Sequence, residues 1–299
     1  MLFGDGDGFV KCACGHRHWG LHGAAGLLLS DPDRGVLLQR RAWWVHHGRT
    51  WALPGGALKS TETPREAAMR EAEEEAAIPH DAVHLTATSV VDHGTWRFTT
   101  VLGSVRRRVE ARPTSSESAG LRWVPPAEVA NYPLHRDFAK AWPSLRAQLD
   151  RRLVLVVDGA NVVGSRPDGW WHDRAGAAER LRDRLSVLGR DGMPGVPGVG
   201  TSGDNKGAED ARWCWLPRIV LVVEGKARGT APADGVEVVA AERDGDTAIV
   251  RVTQEARSQR PADHVVVVTS DRELRSRVEG EGASRLGPRT LLGMLDAAS

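Results

Sequence analysis

Four short runs of β-branched and aliphatic residues, at 153–157, 219–223, 236–240 and 264–268, constrain the fold more than any other feature of the chain. A strand with one wet face alternates apolar and polar residues. A nearly unbroken apolar run belongs to a parallel sheet covered by helices on both sides. Helical stretches separate these runs, so residues 153–299 are expected to form a three-layer α/β domain around a parallel sheet. The preceding segment follows a different rule. Apolar stretches at 24–29, 36–39, 83–91, 96–105 and 121–124 alternate with turn residues and one acidic helix, which reads as a mixed α+β unit over 20–150. Residues 1–19 form an N-terminal extension with a Cys/His cluster, and the pattern changes near 150–152. Gly and Pro dominate 189–207, which predicts a flexible surface insertion within the second domain.

Composition removes several classes of function. With 41% hydrophobic and 26% charged residues the chain has material for packed cores. No apolar run approaches the ~20 residues of a membrane span, and the first residues lack a secretory pattern. Three cysteines do not make a disulfide framework. A cytoplasmic protein with no membrane partner is expected. Forty basic residues against 39 acidic ones give a net charge of +1, so binding nucleic acid by bulk charge alone is excluded. No phosphate-binding P-loop is present.

The segment 56–78 carries the clearest chemistry. Thr63 and Glu66 have capping-box spacing and Pro64 suits a first helical position, so a helix is predicted over about 64–76. Glu71, Glu74 and Glu75 then share one face. Such like charges repel by roughly 0.2–0.5 kcal/mol per pair. A divalent cation among their oxygens reverses the sign, and Mg²⁺ favours a few carboxylates together with substrate phosphates. The segment resembles the Nudix box, G-x5-E-x7-R-E-U-x-E-E-x-G-U with U aliphatic. Gly56, Glu62, Arg70, Glu71, Ala72, Glu74, Glu75 and Ile78 fall at the required spacing, and Leu53-Pro54-Gly55-Gly56 supplies the usual lead-in. Ala77 departs, standing where the family has Gly.

The resemblance, over about 20–149, implies an α/β/α sandwich with a mixed sheet. It also implies a Mg²⁺-dependent hydrolase, with Mn²⁺ as substitute, that cleaves a nucleoside diphosphate linked to a further group. Glu74 and Glu75 correspond to metal ligands, Glu71 to a ligand or the base that activates water, and Arg70 to the group that orients Glu71. The Gly56 carbonyl would complete the coordination and Glu62 would act from outside it. Many members add an acid from a later loop, for which Glu117 is the candidate. Trp43, Trp44, Trp51 and Trp96 could stack a nucleobase or serve packing.

In the second half, acids follow the apolar runs: Asp158 with Asn161, Asp244 and Asp246, and Ser270 with Asp271. Functional groups of open parallel sheets gather beyond the carboxyl ends of the strands. This arrangement resembles the NYN domain, a PIN-like ribonuclease family that includes YacP-like members, over about 153–295. The resemblance implies Asp158, Asp246 and Asp271 as metal ligands, Asn161 and Ser270 as their companions, and RNA as a partner. Thr247 stands where relatives commonly carry a second Asp. The expected function is therefore a Nudix pyrophosphohydrolase with an appended NYN/PIN-like domain acting on RNA. The alternative is an RNA-processing protein whose C-terminal acids cut RNA while the N-terminal half senses a nucleotide. Cys12-x-Cys14-x-His16-x-His18 offers four zinc-type ligands, but their alternation suits a single tetrahedral ion poorly.

Overall fold

A computed structural model describes residues 4–12, 15–167, 169–200 and 211–298. The chain divides into two compact units, Met1–Asp150 with Gly200–Trp213, and Arg151–Val199 with Cys214–Ser299. Among the described residues no helix is long and apolar enough to cross a membrane.

The first unit opens with a small antiparallel pair, β1 (Phe9–Lys11) and β2 (Arg17–Trp19). Its main sheet contains β3 (Ala24–Asp31), β4 (Gly35–Arg41), β5 (Trp51–Ala52), β6 (Gly55–Ala57), β7 (Val83–Asp92), β8 (Arg97–Val105) and β9 (Ser118–Val124). The order runs β7-β8-β3-β4-β5, with β6 also on β3 and β9 on β4. Strand β3 pairs parallel with β8 and antiparallel with β4 and β6, so the sheet is mixed. Every residue of β3 is buried, as required of a central strand covered on both faces.

Helix α1 (Pro64–Ala76) begins as its sequence dictates: Thr63 caps the Glu66 amide and Glu66 returns the bond to the Thr63 amide. Ala68, Ala72 and Ala76 recur every four residues, and all three are fully buried with Leu27, Leu29 and Leu37 of the sheet. Small side chains at the contact let the helix approach the sheet closely, which brings the acidic face beside β6. Helix α2 (Arg136–Gln148) buries Phe138, Trp142 and Leu145. A single 3-10 turn lies at Val129–Asn131.

Ala77 closes α1 in the left-handed conformation, with φ 55° and ψ 39°. Its N–H bonds the Glu73 carbonyl and that of Ile78 bonds Ala72, so the termination usually entrusted to glycine is complete. The cost falls on the side chain, because an L-residue loses about 1 kcal/mol there relative to glycine. Ala77→Gly is expected to stabilise this unit by about 1 kcal/mol, read as a higher urea midpoint at unchanged m-value.

The second unit contains β10 (Leu153–Asp158), α3 (Gly159–Gly164), α4 (Arg174–Asp191), β11 (Met193–Pro194), the last two residues of β12 (Ala211–Trp215), β13 (Arg218–Val223), β14 (Val236–Ala240), α5 (Gly245–Gln259), β15 (His264–Val268), α6 (Arg272–Gly280), β16 (Ser284–Leu286) and α7 (Pro288–Ala297). Its sheet has the order β14-β13-β10-β15-β16, and every neighbouring pair is parallel. Alternate residues Val154, Val156, Val220, Val222, Val265 and Val267 pack under α5 and α6 through Ile249, Val252, Leu274 and Val278. Helices α3, α4 and α7 pack with one another, and α4 also contacts β13 and β14. The three layers and the parallel sheet match the pattern of apolar runs.

The stretch 189–207 departs from expectation where it is described. Helix α4 continues to Asp191, Met193 and Pro194 pair with Trp215 and Cys214, and Met193, Val196 and Val199 are buried. Three apolar residues at every third position anchor a Gly/Pro-rich chain that composition alone marks as loose. Residues 201–207 lie outside the described residues.

Candidate functional site

In the first unit, Arg70 organises the carboxylates of α1. Its Nε and Nη2 donate to the two oxygens of Glu62 at 2.6 and 3.0 Å, while Nη1 donates to Glu71 Oε1 at 2.8 Å and Glu74 Oε2 at 3.1 Å. Nη2 also reaches the Ala57 carbonyl at 3.1 Å, which ties helix to turn. A planar guanidinium with five donors suits this divergent set of acceptors. Glu62 thereby has its pKa lowered, chiefly by Arg70.

Glu71 and Glu75 face inward. Burial raises the pKa of Glu71 against the opposing pull of Arg70, with Glu74 and Glu117 adding like charge. Glu75, 7% exposed, has its carboxyl pushed up to about 7 by burial, although Gln39 and the Gly55 N–H both hydrogen-bond it. Backbone contact requires glycine at 55, and at 56 a side chain would displace the Glu71 carboxylate. A Cβ on Gly55 would meet the Ala25 carbonyl at 2.4 Å, and one on Gly56 would meet Glu71 Oε1 at 2.4 Å. Glu74 is half-exposed and turned onto Arg70. Oxygens of the three glutamates do not gather within 4.8 Å of one another, as expected of like charges partly held by one arginine.

Glu117 acts electrostatically on Glu71, and its carbonyl accepts from the Ala42 N–H at 2.8 Å. Trp43 and Trp44, next in the chain, are 70% and 55% exposed, so neither is core. Trp51 packs edge-on to Tyr132, and Trp96 is buried. Gln39 is the residue that sequence reasoning missed. It ends an apolar run, is 1% exposed and bonds Glu75, while its Oε1 has no hydrogen-bond partner among the described residues. Its place at the end of the apolar run 36–39 does not set it apart in the sequence.

The second unit gathers acids around an open cavity of about 310 Å³ lined by Asp158, Asn161, Glu224, Gly245, Asp246 and Asp271, among others. Asp158 caps the Asn161 amide with one oxygen and accepts from the Thr269 hydroxyl with the other. Asn161 Oδ1 accepts from the Ser270 N–H and hydroxyl, at 2.9 and 2.7 Å. Asp271 caps α6. Burial raises the pKa of Asp158 and Asp246, and neighbouring acids add to each shift. Glu224 was missed by the sequence reading although it directly follows an apolar run, the same signal that marks Asp158. It accepts from the Gly245 N–H at 2.9 Å.

The Cys/His cluster is rearranged relative to its sequence spacing. Cys12 and His18 are buried and meet His93, whereas His16 is exposed. Cys14 lies outside the described residues.

Residues 20–146 match the NUDIX domain model, and residues 221–299 match the YacP-like NYN domain. The second match begins within β13, so Asp158 and Asn161 lie outside it. A Mycobacterium tuberculosis protein named "Putative 8-oxo-dGTP diphosphatase 3" is 46% identical over 153 residues, covering 48% of this chain and 70% of that one. A Bifidobacterium longum protein named "Nucleoside triphosphate pyrophosphatase/Nudix hydrolase fusion protein" is 41% identical over 48% of this chain and 32% of its own length. The crystal structure of the M. smegmatis Nudix hydrolase RenU is 46% identical, covers 47% of this chain and 93% of that one, and has a TM-score of 0.44. Through its N-terminal half the chain belongs to the Nudix hydrolases, divalent-metal-dependent enzymes that cleave phosphoanhydride bonds, and its residues 221–299 match the YacP-like NYN domain.

Proposed function

We propose that the first unit hydrolyses a purine nucleoside triphosphate, of the class named for its mycobacterial relative, with Mg²⁺ held by Glu71, Glu74, Glu75 and the Gly56 carbonyl. The observation that carries this reading is the inward-facing pair Glu71 and Glu75, the second of them buried, beside a Gly-Gly turn whose Gly55 has no room for a Cβ, with the unpartnered Gln39 oxygen next to them. Buried carboxylates at high cost, an orphaned oxygen and hard donors throughout fit a hard dication. Bound there, the cation would neutralise phosphate charge and acidify a water molecule. Arg70 fixes the direction of Glu71 and keeps Glu62 ionised as its own counter-charge. Glu117 receives the proton of the attacking water as the new P–O bond forms and the anhydride P–O bond breaks. Trp43 and Trp44, exposed and joined to Glu117 through the Ala42 amide, stack the base.

The acidic cavity of the second unit is assigned to phosphodiester hydrolysis of RNA, with Asp158, Glu224, Asp246 and Asp271 around a divalent cation and Asn161 and Ser270 holding the loop. Two experiments test these roles. Nucleoside triphosphates including 8-oxo-dGTP, dinucleotide polyphosphates, ADP-ribose and capped RNA are assayed with Mg²⁺ and with Mn²⁺. Release of mononucleotide from the triphosphates is expected, and turnover confined to ADP-ribose or capped RNA would refute the substrate class. Asp158→Asn is expected to remove RNA cleavage, by about a hundredfold or more, and to leave triphosphate hydrolysis unchanged. Undiminished cleavage by this variant would place the nuclease site elsewhere.

A further inference from the structure

Two hairpin turns, 81 positions apart, converge in the first unit. One follows β1 and carries Cys12, closed by the Cys12 N–H on the His16 carbonyl and the Gly15 N–H on the Cys12 carbonyl. The other joins β7 to β8 and carries His93, whose N–H bonds the Trp96 carbonyl. The Cys12 thiol donates to the His93 carbonyl at 3.5 Å, so the two turns touch. His18, on β2, lies against two rings. It stacks on Trp96 at 4.2 Å and 9°, and on His93 at 4.9 Å and 25°.

One ligand atom from each of Cys12, His18 and His93 lies within 4.8 Å of the others. We propose that Cys12, His18 and His93 form a transition-metal site of the Zn²⁺ type that staples the N-terminal hairpin to the β7–β8 turn. The donor set supports this choice. Thiolate and imidazole select borderline-soft ions, whereas the carboxylates of α1 select hard ones, so the two sites do not compete for one cation. Tetrahedral zinc at about 2.3 Å from sulfur and 2.0 Å from nitrogen sets its ligands roughly 3.3–3.8 Å apart, so closure needs about 1 Å of movement. Gly94, with φ 83° in the His93 turn, gives that turn freedom to supply it. Water completes the fourth position.

The test uses the full chain, stripped with a chelator, dialysed, and held in excess Mg²⁺ to occupy hard-cation sites. Titration with Co²⁺ is expected to give one equivalent of binding with a thiolate-to-cobalt charge-transfer band, which Zn²⁺ then bleaches. Cys12→Ser should abolish the band. His93→Ala should weaken cobalt binding by at least about tenfold, while Glu75→Gln and Cys214→Ser should leave both unchanged. If Cys12→Ser does not fold, judged by circular dichroism without metal, His93→Ala carries the decision. Absence of a band at tenfold excess of cobalt overturns the site, as does a band that survives in folded Cys12→Ser or an unaltered affinity in His93→Ala.

Discussion

Replacing Glu75 by Gln is expected to lower kcat for triphosphate hydrolysis by about 10³-fold, near 4 kcal/mol, without lowering the stability of the metal-free protein. The two effects separate because the charge of the carboxylate serves only the cation. Glutamine is nearly isosteric, and its carbonyl can still accept from the Gly55 N–H that Glu75 engages at 2.9 Å. What it loses is charge, and in the metal-free protein that charge is a liability: burial holds the Glu75 carboxyl at about 7 against an ordinary 4.5. A raised carboxyl pKa means that the folded state binds more protons than the unfolded state between these values. Metal-free stability should therefore fall as pH rises from about 4.5 through 7, by on the order of 3 kcal/mol. In Glu75→Gln this decline should be reduced, and chemical denaturation at pH 5 and pH 8 measures it. A variant that is both inactive and less stable at pH 8 would mean that Glu75 is structural.

Arg70→Ala should reverse that pattern and lose both properties. Its side chain is 18% exposed and joins Glu62, Glu71, Glu74 and the Ala57 carbonyl. Its removal leaves three acids crowded beside a turn, with an expected stability loss of about 2–3 kcal/mol. Activity should drop by about 10²-fold, because Glu71 loses the bond that directs it. Arg70→Lys should restore part of the stability and little of the activity, since one ammonium cannot serve the divergent acceptors that a planar fork reaches. Urea titration and steady-state kinetics on the same preparations separate the outcomes. Full activity in Arg70→Lys would show that charge alone suffices.

The parts of this molecule legible in its sequence are those set by local rules. Thr63, Pro64 and Glu66 specify where α1 starts, and the alanines at 68, 72 and 76 specify which face it buries. The unbroken apolar runs of the second half specify a parallel sheet, and the acids that follow them specify the rim of its cavity. Glu224 was readable by the same logic as Asp158 and was passed over because the residues after it do not form a recognisable motif. Other features depend on long-range contacts. Gln39 ends an apolar run as many exposed strand-end residues do, and only packing against α1 shows that it reaches Glu75. His93 lies in a hairpin turn far from Cys12, so spacing within 12–18 suggested partners, His16 among them, that the fold does not bring together. Composition likewise undervalued Met193, Val196 and Val199, whose burial depends on surfaces elsewhere in the fold.

The assignment of Glu71, Glu74 and Glu75 is tested most directly by anomalous diffraction from crystals of the full chain soaked in Mn²⁺. We expect one strong peak in contact with oxygens of all three side chains and the Gly56 carbonyl, with Glu74 released from Arg70 to reach it. A Mn²⁺-saturated crystal that shows no peak there, with Glu74 still on Arg70, would contradict the account.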